Sequence, residues 1–360
     1  RKAWMWNALV GYCPHFPLTT VFYNHLSDPI NKEIIDKTND NLTSFLHQWG
    51  HYDDEINQYN NARHNLLLGA KVYTPSKFKL NPNTLVAIVA GGPSLTERIN
   101  SLKKYEGDLI IISCGSAIGT LCHYDLKPDF HVELESDYLV YEAIKKVTTE
   151  EFRKGITLVG AAQLNSRCFE LFRKSIIFFK DSTALTELYV KNDKDIITSS
   201  TPTCTNAGIA FAKSLNTKSI YMFGTDFGFI KKEIHHAPGS IHYEDDIPEA
   251  IQEDNNFENG GLVSDISVHG SELHTKPIYL TSKRRLEECI KLLHYRGTSV
   301  YNCSDGASIK NAVWLSDEAF LKDTEKKILD IDKYHICSEI YKTCTALDKT
   351  IIDEKSQYLY

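Results

Sequence analysis

The chain has 360 residues, enough for one sizeable α/β domain with helical additions, and its 42% apolar and 24% charged shares exclude disordered, collagen-like and coiled-coil classes. Lys and Arg number 40 against 47 Asp and Glu, a net charge of −7. Basic residues form only short clusters, such as the pair Lys231 and Lys232, with no run longer than Lys283 to Arg285, which argues against a nucleic-acid partner. No apolar run approaches the roughly 18 residues of a membrane span; the longest, Leu85 to Ala90 and Leu109 to Ile112, are strand-sized.

No charged, apolar and small-residue leader opens the chain. Arg1 stands where an initiator Met would, and the first residues read as the middle of something longer, so an upstream domain is expected. The nine cysteines are scattered, with no Cys-x-x-Cys pair. They predict free thiols in a reducing cytoplasm, with neither a disulfide framework nor a structural zinc site.

Residues 1–83 carry apolar positions at helical spacing, punctuated by Pro14, Pro17, Pro75 and Pro82, and predict a helical lead-in. From Leu85 short β-branched runs alternate with amphipathic segments: 85–90, 109–113, 130–134, 156–160, 176–179 and 219–223. Strands so short and apolar are buried on both faces. The intervening segments 95–104, 116–123, 138–147, 165–172, 185–190 and 206–215 read as helices. The pattern predicts a Rossmann-like α/β fold, a mostly parallel sheet flanked by helices, over 84–313. Residues 229–274 are polar, rich in His and Gly and without clear periodicity, a length typical of functional loops. A helix at 282–295, a strand at 298–301 and a helical segment over 314–360 complete the chain.

Three places carry chemistry. In VAIVAGGPSLTERI a buried strand runs through Gly91, Gly92, Pro93 and Ser94 into a helix at Leu95, a geometry that offers backbone amides and a helix dipole to a phosphate. Ser94 is placed as an N-cap, with Glu97 completing a capping box. The stretch is neither a Walker A loop nor the full dinucleotide fingerprint. A second strand end, Cys114, Gly115 and Ser116, follows next to it, and the strand after that exits through Glu133, Glu135, Ser136 and Asp137. In open α/β sheets ligands lie at such carboxyl ends. The third place pairs TPTCTNAG at 201–208, where Thr203, Thr205 and Asn206 offer hydroxyl and amide groups, with YMFGTDFG at 221–228, where Asp226 emerges between Gly224 and Gly228.

Beyond Asp226 stand His235 and His236, then His242, His269 and His274. Histidine titrates near neutrality and suits proton removal from an alcohol. His235, His236, His242, Asp245 and Asp246 match no regular metal-ligand spacing, so no metal is expected.

Taken together and in order, GGPSL, KPDFHVELE, TNAG, FGTDFG and VYNCSDGASI resemble the motility-associated-factor glycosyltransferases of bacteria, from WGHYDDEINQYNNARHNL at 49–66 to about residue 313. GGPSL and GTDF are also similar to bacterial sialyltransferases that use CMP-sialic acid. The resemblance implies a cytoplasmic enzyme that transfers a nonulosonic acid, of pseudaminic or legionaminic type, from a CMP-activated donor to Ser or Thr of flagellin, serving flagellar assembly and motility. It implies no resident cofactor. Carried over by motif, Gly91, Gly92, Pro93, Ser94 and Leu95, with Cys114, Gly115, Ser116, Glu135, Thr203, Thr205, Asn206, Gly224 and Thr225, hold the CMP-sugar. Asp226 is the site carboxylate. A base at His235 or His236 comes from the residues alone. The sequence has Gly-Gly-Pro where Gly-x-Gly-Pro is common, and Asp-Gly-Ala where relatives often show Glu-Gly-Gly, which unsettles any role for Ser304 to Ala307. Archaeal pterin diphosphokinases share the GxPSL-type turn but move a diphosphate from ATP with Mg²⁺ held by carboxylates. They define the alternative reading, beside a non-catalytic flagellin-binding protein.

Overall fold

The computed structural model describes residues 29–40, 52–181, 183–248, 251–252 and 261–356. The chain divides into two compact units, Arg1–Ile56 and Asn57–Tyr360. In the first, Pro29–Asp40 is helical, and the helix Tyr52–Leu67 begins there and runs on into the second. The rest of the expected lead-in before residue 52 lies outside the described residues.

The second unit is built on a ten-stranded sheet. Its strands are β1 (Lys71–Val72), β2 (Leu85–Val89), β3 (Leu109–Cys114), β4 (Phe130–Glu133), β5 (Thr157–Ala161), β6 (Lys174–Phe178) and β7 (Ser219–Phe223). A separate hairpin, β8 (Val263–Ile266) and β9 (Glu272–Thr275), precedes β10 (Ser299–Asn302), β11 (Val313–Trp314) and β12 (Thr345–Ala346). The order across the sheet is β11-β10-β7-β2-β3-β4-β5-β6-β1-β12. Pairing is parallel except where β12 meets β1. The Rossmann-like α/β reading is thus borne out.

Side chains alternate across each strand, and the two faces fill separate cores. Along β2, Val86 and Ile88 pack with Ala207, Ile209 and Phe211 of the helix Cys204–Leu215 and with Leu286 and Ile290 of the helix Pro277–Tyr295. Leu85, Ala87 and Val89 pack the other way, with Leu95, Ile99 and Leu102 of the helix Leu95–Lys104 and Phe320 of the helix Asp317–Lys327. Every residue of β2, β3 and β7 is buried, which explains why these runs are apolar without interruption.

Two expectations change. Helix does not extend to residue 83: it stops at Leu67, and Lys71–Val72 joins the sheet between β6 and β12; a two-residue strand is too short to leave a period in the sequence. The segment 165–172 forms a 3₁₀ helix, Ser166–Leu171, rather than an α-helix. Within 229–274 the polar stretch carries the β8–β9 hairpin, whose outward residues Val263 and Ile266 are exposed.

Topology places the ligand-binding end. From β2 the chain steps through β3, β4, β5 and β6 in one direction, then returns to lay β7 on the other side of β2. The β2–β7 boundary is therefore the switch point, where strand ends diverge and leave a crevice.

Candidate active site

The crevice holds a cavity of about 510 Å³. Its lining comes from the carboxyl ends of β2 (Gly91, Gly92), β3 (Cys114, Gly115, Ser116), β4 (Glu133, Glu135, Asp137) and β7 (Gly224, Thr225, Asp226). Thr203 and Thr205 join them, as do His235, His236 and His242. Ile144 and Val147, from the helix Leu139–Val147, and Phe229 form an apolar wall. The structure therefore gathers most of the residues singled out in the sequence. Pro93, Ser94, Leu95 and Asn206 stand outside the lining.

The bend after β2 differs from the open amide cradle expected. In register, Val89 faces Phe223, and the two exits stay locked: Ala90 N–H donates to Phe223 O and Gly92 N–H to Gly224 O, both at 2.9 Å. Asp226 then turns back, and its Oδ2 accepts the Ser94 amide at 3.1 Å. Leu95 N–H donates to Gly92 O at 3.1 Å, and its side chain is fully buried. The amides of Ser94 and Leu95 are thus already taken, so a ligand phosphate cannot rest on them: the anion at this helix start is Asp226 itself. Ser94 adopts a helical conformation and makes no side-chain cap bond, so the expected capping box is absent.

The glycines are there for close approach. A Cβ on Gly92 would lie 2.0 Å from Asp226 Oδ2 and 2.5 Å from Gly224 O, and one on Gly91 would lie 2.6 Å from Ser116 Oγ. No other residue lets these three strand ends meet.

Asp226 is 2% exposed. Burial pushes its carboxyl up to about 6, against the bonds from Ser94 and the Gly306 amide that pull it down. No histidine is among its hydrogen-bond partners.

Opposite stands Glu133, 3% exposed. Burial pushes its carboxyl up to about 7, although Oε1 accepts from Cys204 Sγ at 2.9 Å and from the Leu134 amide at 3.0 Å. Behind it His131 is fully buried, with Nδ1 3.0 Å from Ser113 Oγ and Nε2 3.7 Å from Glu133 Oε2. Desolvation drives the His131 imidazole down to about 3, so it is neutral. Glu135 keeps solvent contact through the cavity; packing around it raises its carboxyl, and Lys180 opposes that rise.

The helix Cys204–Leu215 points its first turn at the cavity. Its capping box, Thr203 with Asn206, is closed by Ser282: Thr203 Oγ1 and Ser282 Oγ lie 2.8 Å apart, and Asn206 Nδ2 donates to Ser282 O at 3.0 Å. Asn206 thus spends its amide on tying two helices together and is not a ligand contact.

Sequence reasoning missed the support beneath Asp226. The doubted segment Ser304 to Ala307 holds the loop from below: Thr225 N–H donates to Ser304 Oγ at 2.9 Å and Ala307 N–H to Asp226 O at 2.8 Å. Asp305 is gripped by the buried Arg98, whose Nη2 lies 2.8 Å from both carboxylate oxygens. An Arg on the GGPSL helix and an Asp two hundred residues later leave no spacing to read.

The histidines approach from the remaining side. Ala237 N–H donates to Gly91 O at 3.0 Å, pinning their loop to the bend. The Tyr243 hydroxyl accepts the His235 and His236 amides, each at 2.9 Å, and donates to His236 O at 3.0 Å. The His236 and His242 rings stack with centroids 3.9 Å apart. Burial first, then His242, His235 and Lys276, holds the His236 imidazole well below the usual histidine range, so it is a neutral base at physiological pH. His235, His236 and His242 bring one nitrogen each within 4.8 Å of one another. Asp245 and Asp246 do not join them; their carbonyls accept from Lys146.

A switch-point cavity floored by glycine bends and ringed by titratable groups is the ligand-binding crevice of a Rossmann-like fold. Comparison with known proteins sharpens this. Residues 56–232 match the family described as 6-hydroxymethylpterin diphosphokinase MptE-like. The structure of the MAf glycosyltransferase from Magnetospirillum magneticum AMB-1 superposes with a TM-score of 0.69 and 22% identity, over 91% of this chain and 48% of that one. The chain thus spans about half the length of that relative, and the resemblance read from the motifs is borne out in the fold. An uncharacterized protein of Treponema pallidum (strain Nichols) is 29% identical over 72 residues, 20% of this chain and 34% of that protein. Among the described residues no helix is long and apolar enough to cross a membrane, and the eight cysteines there are free.

Proposed function

We propose that the chain is a cytoplasmic glycosyltransferase that moves a nonulosonic acid, of pseudaminic or legionaminic type, from a CMP-activated donor to Ser or Thr of flagellin, in support of flagellar assembly and motility. The observation that carries this reading is the convergence of the β2, β3 and β7 exits on one cavity, in a fold shared with a MAf glycosyltransferase.

In this reading the donor's phosphate lies against Ser116, Thr205 and the first turn of the helix Cys204–Leu215, whose dipole favours it. The bond between phosphate oxygen and anomeric carbon breaks as that carbon gains oxocarbenium character, and donors aimed at the departing oxygen are worth about 3 kcal/mol each. Glu133, held up to about 7, is partly neutral near physiological pH and limits the repulsion that Glu135 and Asp137 present to an anionic donor. His236 or His235 takes the acceptor hydroxyl's proton, a contribution on the order of 100-fold or more. Asp226 acts through structure, holding the β2 and β7 exits together.

The same carboxylates favour a second reading, transfer of a diphosphate from ATP. Glu133, Glu135 and Asp137 stand on one side of the cavity, as a Mg²⁺-dependent enzyme requires, and the matched family is described by such an activity. A thermal-shift screen separates the readings through ligand linkage. Stabilisation by CMP or CTP without metal supports the glycosyltransferase, whereas stabilisation by ATP only with Mg²⁺ replaces it with the diphosphokinase. A response to neither nucleotide leaves a flagellin-binding protein.

A further inference from the structure

We propose that His235, His236 and His242 form a three-histidine site for a zinc-class divalent ion at the mouth of the cavity. Their nitrogens lie within 4.8 Å of one another, and a tetrahedral ion with bonds of about 2.0–2.1 Å needs ligand nitrogens about 3.3 Å apart. Coordination requires one ring of the His236–His242 stack, now face to face with centroids 3.9 Å apart, to turn until both lone pairs aim at one point.

Three further observations point the same way. The Nδ1 of His236 is buried without a hydrogen-bond partner, a costly state for an imidazole nitrogen unless something accepts its lone pair or proton. His235 Nδ1 lies 2.9 Å from Lys232 O. A carbonyl only accepts, so Nδ1 carries the hydrogen and Nε2 the lone pair, the tautomer that a backbone carbonyl fixes in metal-bound histidines. The Tyr243 hydroxyl bonds the backbones of both His235 and His236, so two of the ligands are held before an ion arrives.

Three protein nitrogens leave a fourth position of a tetrahedral ion open, the arrangement of catalytic zinc rather than structural zinc. All three histidines line the cavity, so the open position faces the substrate space. An ion there binds the acceptor hydroxyl and lowers its pKa; the hydroxyl's proton leaves to solvent as the oxygen attacks the anomeric carbon and the donor phosphate takes the bonding pair. When the ion is bound it takes over the task that His236 or His235 performs as base in the metal-free reading above. This deepens the glycosyltransferase reading, but the site itself rests on the geometry of the trio alone.

The test is calorimetric titration of the metal-stripped full chain with Zn²⁺, together with the visible spectrum after loading with Co²⁺. One equivalent of Zn²⁺ and the intense bands of four-coordinate Co²⁺ are expected. His242→Ala and His235→Ala should each weaken Zn²⁺ binding more than the roughly 10- to 100-fold that loss of an outer partner causes. His294→Ala, on an exposed turn of the helix Pro277–Tyr295, should leave it unchanged. Should a ligand variant fail to fold, the Co²⁺ spectrum of the unaltered chain decides alone, and a six-coordinate spectrum overturns the site. Equal Zn²⁺ affinity in the unaltered chain and the His235→Ala/His242→Ala double variant overturns it as well. CMP binding without Zn²⁺ binding removes this inference only, and Zn²⁺ binding without CMP binding removes the transferase reading only.

Discussion

The carboxylate of Asp226 sits 3.1 Å from the amide of Ser94, a residue 132 positions earlier in the chain. One side chain therefore occupies the anion position at the start of the GGPSL helix and joins the two strand exits that frame the cavity.

Removing that carboxylate leaves the Ser94 amide without its partner. Asp226→Ala should lower stability by about 1–3 kcal/mol in urea unfolding. Asp226→Asn keeps an acceptor oxygen and removes a buried charge, so it should unfold at or above the midpoint of the unaltered chain. Equal loss in both variants would show that the Ser94 bond is not what matters.

Gly92→Ala should be far worse than an ordinary glycine substitution, because its Cβ would meet Asp226 and Gly224 well inside contact distance. A cost of about 1–3 kcal/mol or more is expected. Gly107→Ala, with nothing within 4 Å of its Cβ, should be close to neutral. Thermal midpoints of the two variants give the comparison directly.

Glu133 makes stability depend on pH. Its folded carboxyl is raised to about 7 from 4.5, so between those values the native state holds a proton that the unfolded chain has released. Stability is fully present below pH 4.5 and is lost as pH rises through about 7. Glu133→Gln should therefore gain roughly 3 kcal/mol over the unaltered chain at pH 8 and nothing at pH 4. A constant difference across that range would mean the carboxyl is not shifted.

His236→Ala and His235→Ala test the chemistry of the mouth. With a CMP-activated nonulosonic acid and flagellin, at least one should lower kcat on the order of 100-fold while KM for the donor stays within a few-fold. Near-normal turnover in both would take the histidines out of the reaction.

Much of this was legible in the sequence. The strands β2, β3 and β7 announced themselves because burial on both faces demands nearly continuous apolar runs, and the glycines at their exits marked where a ligand belongs. What escaped notice depends on contacts between distant segments. Asp226 and the GGPSL turn were each singled out, yet nothing in their spacing said that one would plug the other. The three histidines looked like loop residues because His235, His236 and His242 converge through a turn held by Tyr243, not through a helical or hairpin repeat. Asn206 was read as a ligand contact because an amide at a helix start serves equally well for capping, and only Ser282, on another helix, decides between the two. The edge strands β11 and β12, and β1 beside β12, have two residues each, below the length at which alternation can be seen.

The late return of β7 to the flank of β2 has a consequence for how the molecule is made. Until residues 219–223 emerge, β2 is a bare sheet edge of five apolar residues, the kind of template on which nascent chains stick to one another. A fragment ending after β6 retains most of the framework but exposes this seam, so aggregation rather than partial activity is the expected fate of early truncation.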